Sequence, residues 1–302
     1  MSKEIEPSRT TRTPNLRELL GITDEYVGYC REERNFAAVL YHLLLDTNRL
    51  RSFLALIGQL EVAGRPPVNI DDVRIYFEYA HLRDLWAEVA DKERKKDQSA
   101  EQALRVTNDR YRETIVSMLC MPVDLQLQLP SITAFNAFFT GPRVRAASSR
   151  QIQMPSRWSD SQFDNWSKVG GDTFAKRACS LKWAFNAKPD LVLHLGADKA
   201  VCIEAKLESG AGAYQVKSDP NPEGCFGMGQ FELQEFILND LLGYKTDFII
   251  ISKASNWQEG NSTRNWRSYS WQETYAELLK DKPSVDGESK MVAAFASRSS
   301  SR

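Results

Sequence analysis

The stretch KPDLVLHLGADKAVCIEAKL, residues 188–207, sets two carboxylates and an ammonium among apolar residues. Asp190 precedes one apolar run, and Glu204 and Lys206 close the next. Ionisable side chains lose hydration in such company and need partners. With a three-residue turn at Gly196-Ala197-Asp198, a common hairpin length, Leu195 faces Lys199 and Asp190 falls opposite Glu204. One face then carries Leu191, Leu193, Leu195, Val201, Ile203, Ala205 and Leu207; the other carries Asp190, Val192, His194, Cys202, Glu204 and Lys206. A two-residue turn would oppose Asp190 to Ala205 and Leu191 to Glu204, mixing charge with core on both faces. Hydrophobic sorting selects the longer turn.

Carboxylates side by side on neighbouring strands repel, and a hard divalent cation relieves the repulsion. Mg²⁺ takes one or two carboxylates together with waters and phosphate oxygens. Lys206, one pleat further on, is placed to orient or deprotonate an attacking water, or to neutralise charge growing on a phosphate. Such a set is suited to hydrolysing a phosphodiester. The competing reading of the same residues is a salt-bridged trio on an exposed hairpin edge.

These side chains must be positioned by the rest of the chain. Residues 1–14 are polar and proline-bearing, as in a disordered tail. In 31–58 the positions Phe36, Val39, Leu40, Leu43 and Leu44 recur at helical spacing, giving the first core helices over 15–60. Residues 70–119 read as two long helices joined by the charged run 91–99, within a mostly helical insertion at 61–140. MPVDLQLQLPSITAFNAFFTGP mixes alternation with proline and suggests short strands or loops. An α/β core follows over 141–282: a short helix around Phe174, strands at SLKWAFN, DLVLHL and AVCIEAKL, a glycine-rich loop, the helix GQFELQEFILNDLL, the strand TDFIIIS and a last short helix. Residues 283–302 form a Ser/Arg-rich flexible tail. The fold class expected is α/β with a mostly helical first half.

Pro189-Asp190, then Glu204-Ala205-Lys206 closing an apolar strand, then Gln230 and Gln234 on the next helix together resemble the PD-(D/E)XK nuclease superfamily. The resemblance implies a central mixed β-sheet flanked by helices, a restriction-endonuclease-like core, here with a helical N-terminal insertion. It implies Asp190 and Glu204 as ligands of Mg²⁺, with Mn²⁺ as a substitute, and Lys206 as the assistant of the attacking water. Members often add an acid from a helix before the sheet. Glu33, one turn ahead of the apolar stripe and in line with Ala37, Leu40 and Leu44, fits that place as a third ligand, with Glu32 and Glu113 as substitutes. Its other reading is an ordinary first-turn acid near a helix N-terminus. Gln230 resembles the glutamine that many members carry near the site, with Gln234 one turn on as the alternative. Glu208 and Ser209 would stand at the rim of the cleft.

A formal net charge of -1 excludes a globally basic nucleic-acid magnet, so any basic surface is local. Residues 141–159 supply one, with Arg143, Arg145, Arg150 and Arg157 and no acid. Phosphate contacts need such cations, so a nucleic-acid partner, DNA foremost, is expected there. Trp158 and Trp166 are candidates for stacking on bases, against the commoner fate of burial.

The 5 cysteines form no C-x-x-C pair and the 3 histidines are scattered, so neither a disulfide framework nor a zinc knuckle is expected. No apolar run approaches the roughly 20 residues of a membrane span, and the chain reads as cytosolic. G-x-S-x-G, P-loop and Rossmann fingerprints are absent, which argues against a nucleotide cofactor and a serine hydrolase. The main competitor to a metal-dependent nuclease is a non-catalytic nucleic-acid-binding or assembly protein on the same fold.

Overall fold

The computed structural model describes residues 33–61, 67–207, 212–216, 226–253 and 266–280. The expected tails at 1–14 and 283–302 lie outside them, as do Glu32, Glu208 and Ser209. The architecture is mixed α/β. A five-stranded sheet runs in the order β1 (Arg74–Phe77), β2 (Leu191–His194), β3 (Lys199–Ala205), β6 (Lys245–Ser252) and β7 (Arg267–Ser270). β1, β2 and β3 pair antiparallel, and β6 and β7 continue parallel to β3.

The β2–β3 register is the one that hydrophobic sorting selects. Leu191 pairs with Ile203 and His194 with Ala200, and the Leu195 N–H reaches the Lys199 carbonyl at 2.9 Å around the three-residue turn. The two faces of the sheet carry separate cores. Leu191, Leu193, Val201, Ile203 and Ala205 pack with helices α1 (Glu33–Leu44), α2 (Thr47–Leu56) and, late in the chain, α10 (Trp271–Leu279), through Phe36, Leu40, Phe53, Trp271 and Tyr275. Val192, Ala200 and Cys202 face the other layer, where α3 (His81–Arg94), α4 (Ala100–Leu119) and the helices after it contribute Trp86, Tyr111, Phe139, Trp166 and Ala178. A slip of one residue would drive Glu204 into the first core against leucine and phenylalanine, an uncompensated charge burial.

Several segments differ from the sequence expectation. MPVDLQLQLPSITAFNAFFTGP is helical, as α5 (Val123–Gln128) and α6 (Ile132–Thr140), rather than strand or loop. Its Leu125 and Leu129 are buried while Val123 and Leu127 are exposed, which is an i, i+4 face rather than a pleat. Ser131 then caps α6, its hydroxyl accepting the Ala134 N–H at 3.1 Å. α7 (Phe163–Gly170) follows, and SLKWAFN ends helix α8 (Asp172–Ala184), with Phe174, Ala178 and Leu181 on one buried stripe, so it is not a strand. The segment 61–140 is mostly helical but also supplies β1 to the central sheet, so part of the expected insertion is built into the core.

In the glycine-rich region a two-stranded ribbon, β4 (Ala213–Gln215) with β5 (Gly227–Gly229), leads into α9 (Gln230–Glu235), which continues as a π-helical turn over Phe236–Leu241. Cys120, Cys179 and Cys202 are free thiols. Among the described residues no helix is long and apolar enough to cross a membrane.

Candidate active site

Four chain segments converge at one edge of the sheet: the residues just before β2, the end of β3, the start of α9 and the start of α1. One step beyond the β2–β3 ladder, Asp190 lies across from Glu204, and its Oδ2 accepts the Ala205 N–H at 2.9 Å. Burial, with Glu204 beside it, pushes the Asp190 carboxyl up to about 7, against the opposite pull of the Ala205 N–H and of Lys206. This is the like-charge crowding that the register implies.

Glu204 is 3% exposed and held from three directions. Lys206 Nζ lies 2.9 Å from its Oε1, which also accepts the side-chain amide of Gln230. Gln234 donates to Oε2 at 2.6 Å. Gln230 and Gln234 stand one turn apart on α9, so both of the alternatives weighed from the sequence point at the same carboxylate. The Gln230 carbonyl oxygen in turn accepts Lys206 Nζ at 3.1 Å and the Gly212 N–H at 3.1 Å, tying the base of the ribbon to the site.

Lys206 is 4% exposed although it stands just past the strand. Its backbone explains this. The N–H bonds the Ile251 carbonyl on β6 at 2.8 Å, and its own carbonyl accepts the indole N–H of Trp271 at 3.1 Å. From that fixed backbone the ammonium meets Glu204 and the Gln230 carbonyl oxygen.

Glu33 is the first residue of α1, and the buried α1 stripe lays that helix across the sheet. Its Oε1 accepts the Leu207 N–H at 2.9 Å, and Oε2 is 4.0 Å from Lys206 Nζ. Glu113 is an exposed residue of α4. Among the described residues no three His, Cys, Asp or Glu side chains gather into a metal-holding group. Asp190, Glu204 and Glu33 thus share an edge, but in this conformation the Glu33 carboxylate is engaged with Leu207 and Lys206.

Two contributors escape the sequence argument. Trp271 pins Lys206 from α10 and carries no sequence signal for that role. Tyr214 on the ribbon lies close enough that Glu204 adds to the effect of burial in raising its phenol, with Lys206 opposing.

Arg143, Arg145, Arg150 and Arg157 are all exposed. The segment that bears them is not slack. Buried Asn136 donates to the carbonyls of Ser149 and Gln151 and accepts the Gln153 N–H. Buried Asn108 donates to the Arg150 carbonyl and accepts the Ile152 N–H. The Ser156 carbonyl accepts the side-chain amide of Asn186 at 3.4 Å, which joins the end of this segment to the chain just ahead of Asp190. Trp158 and Trp166 are both buried, Trp158 stacked on Phe139 and Trp166 donating to the Phe138 carbonyl, so neither is free to stack on a base.

No protein-family model, no curated protein and no solved structure matches the chain.

Proposed function

We propose that the chain is a Mg²⁺-dependent nuclease with a restriction-endonuclease-like core, hydrolysing phosphodiester bonds, with DNA as the substrate. One observation carries the reading: Asp190, just ahead of β2, lies across from Glu204 on the antiparallel neighbour β3, with the Lys206 ammonium 2.9 Å from Glu204 at the same sheet edge. Long-range packing brings Glu33 to that edge as well.

The residues present fit a hard cation. Asp190 is a buried carboxylate with one oxygen engaged by a backbone N–H; burial first, and Glu204 beside it second, raise its pKa, and a bound cation would offset both. Asp190 and Glu204 would hold the ion, with Glu33 as the third candidate; one or two carboxylates suffice for Mg²⁺ when waters and phosphate oxygens complete the shell. Bound there, Mg²⁺ supplies charge to the scissile phosphate and eases ionisation of water. Lys206 orients the attacking water and offsets negative charge on the phosphate. Gln230 holds the ammonium through its carbonyl oxygen and Gln234 fixes the Glu204 carboxylate, so neither group must reorganise at the moment of reaction. The exposed arginines of 143–157, on a segment braced by Asn108 and Asn136, bind the phosphate backbone and carry no sequence readout of their own.

A second reading has one specific observation behind it. Glu204 already has an ammonium and two amides as partners, and a non-catalytic nucleic-acid-binding protein would keep such a cluster as a buried ion-pair network. Incubating purified protein with linear, circular and single-stranded DNA and with RNA, in Mg²⁺ and in EDTA, separates the two. The nuclease reading expects Mg²⁺-dependent strand scission; retention of intact nucleic acid without scission in every condition supports the alternative.

A further inference from the structure

Two non-glycine residues have left-handed backbones among the described residues, Cys120 with φ 47° and Glu78 with φ 49°. Cys120 closes α4, where that conformation is the usual way to end a helix. Glu78 closes no helix; its left-handed turn lets its own N–H and that of Tyr79 both reach the segment ahead of β2. It follows β1, and left-handed backbone is costly for any residue with a side chain, so a glycine would be the cheaper choice. The side chain that is kept there spans two segments. Its carboxylate meets Arg34 Nε at 2.5 Å and Lys188 Nζ at 3.5 Å.

Those two cations are neighbours of the proposed ligands. Arg34 follows Glu33 directly on α1, and Lys188 stands two residues ahead of Asp190. The backbone reinforces the link, since the Glu78 N–H bonds the Asp190 carbonyl at 2.9 Å and the Tyr79 N–H bonds the Pro189 carbonyl at 2.9 Å. The Arg34 and Lys188 side chains are 66% and 42% exposed, and exposed ion pairs add little to stability. What two tethers from one carboxylate do provide is a link between the start of α1 and the strand entry at Asp190.

We infer that Glu78 is a positioning residue for the proposed metal site: through Arg34 and Lys188 it sets Glu33 against Asp190. This rests on the metal-site reading above. Glu78 is not itself one of the proposed metal ligands.

The test is Mn²⁺ titration of the full chain, followed by the electron paramagnetic resonance signal of free Mn²⁺, for the parent, Glu78→Gly and Glu78→Gln. Glu78→Gly relieves the backbone while losing both tethers, so its thermal midpoint stays near that of the parent. Glu78→Gln keeps the strained backbone and the side-chain length but loses the charge. Both variants are expected to raise the Mn²⁺ dissociation constant by about three- to tenfold, short of or reaching the loss seen when a ligand's direct supporting partner is removed. A purely structural role would move the thermal midpoint and leave the Mn²⁺ affinity of the folded protein alone. If the parent binds Mn²⁺ and both variants bind it equally well, the positioning role is overturned while the metal site stands. If the parent binds no Mn²⁺, the metal site is refuted and the role of Glu78 falls with it.

Discussion

Glu33 Oε1 accepts the Leu207 N–H at 2.9 Å across 174 residues of sequence. The bond joins the first turn of α1 to the residue after Lys206, so helix packing and the candidate site depend on each other. Two roles for Glu33 can be told apart. A carbonyl oxygen would satisfy the Leu207 N–H as a carboxylate does, whereas only a carboxylate serves as an anionic ligand. Glu33→Gln should keep the parent's thermal midpoint and lose about 10–100-fold in Mg²⁺-dependent turnover. Parent-like turnover in Glu33→Gln, read from initial rates over a Mg²⁺ series, would confine Glu33 to holding the chain.

Gln234 is 2% exposed and donates to Glu204 Oε2 at 2.6 Å. Gln234→Leu fills much of the same volume but leaves that oxygen without its donor. The variant should lose about 1–3 kcal/mol of stability, measured by urea unfolding, and turnover should fall with it. An unchanged urea midpoint would show that Glu204 finds another donor.

The hairpin and its charges are legible in the sequence because alternation sorts them: a wrong register would have placed Glu204 in a core. Glu33 is legible for a related reason, standing in line with the apolar stripe of α1. Other parts gave no such contrast. β1 (Arg74–Phe77) and β7 (Arg267–Ser270) are four-residue strands whose alternation is too short to separate from loop. Leu125, Leu127 and Leu129 alternate like a strand, yet only Leu125 in α5 and Leu129 just after it are buried, and Ser131 then caps α6. Leu181, Trp183 and Phe185 mimic a pleat because α8 is buried so widely that even Ser180 is covered. Trp271 and Glu78 act through contacts between segments far apart in sequence, which no local pattern encodes.

His194 is one source of pH dependence away from the site. Its ring lies 2.9 Å from the Tyr79 hydroxyl and 3.5 Å from that of Tyr244, and burial, with His81 nearby, lowers it from 6.5 to about 4. The unfolded chain therefore takes up a proton that the folded one refuses. This contribution to stability is whole above about pH 6.5 and is lost as the pH falls towards 4. His194→Gln, which does not titrate, should flatten the acid limb of the urea-midpoint curve against pH. An acid limb as steep as the parent's would assign the loss to other groups.

The exposed arginines should act on binding and not on chemistry. Arg145→Ala or Arg150→Ala should each weaken DNA binding and reduce the slope of log affinity against log salt by about 1, with turnover at saturating DNA unchanged. Fluorescence anisotropy over a salt series reads this directly; an unaltered slope would remove that arginine from the contact surface. Asn136→Ala, which cuts three backbone anchors of the same segment, should weaken binding while leaving every arginine in place.

The central claim is that Asp190, Glu204 and Lys206 form a metal-dependent hydrolytic site. It is tested most directly by a plasmid-cleavage time course comparing parent, Asp190→Ala and Lys206→Ala in Mg²⁺ and in EDTA. Asp190→Ala relieves the crowding of two carboxylates but leaves the Ala205 N–H without its acceptor, so a thermal midpoint measured beside cleavage separates inactivity from unfolding. The account predicts cleavage by the parent in Mg²⁺ alone, and intact plasmid with both variants. Cleavage by Asp190→Ala at the parent's rate, or undiminished parent activity in EDTA, would contradict it.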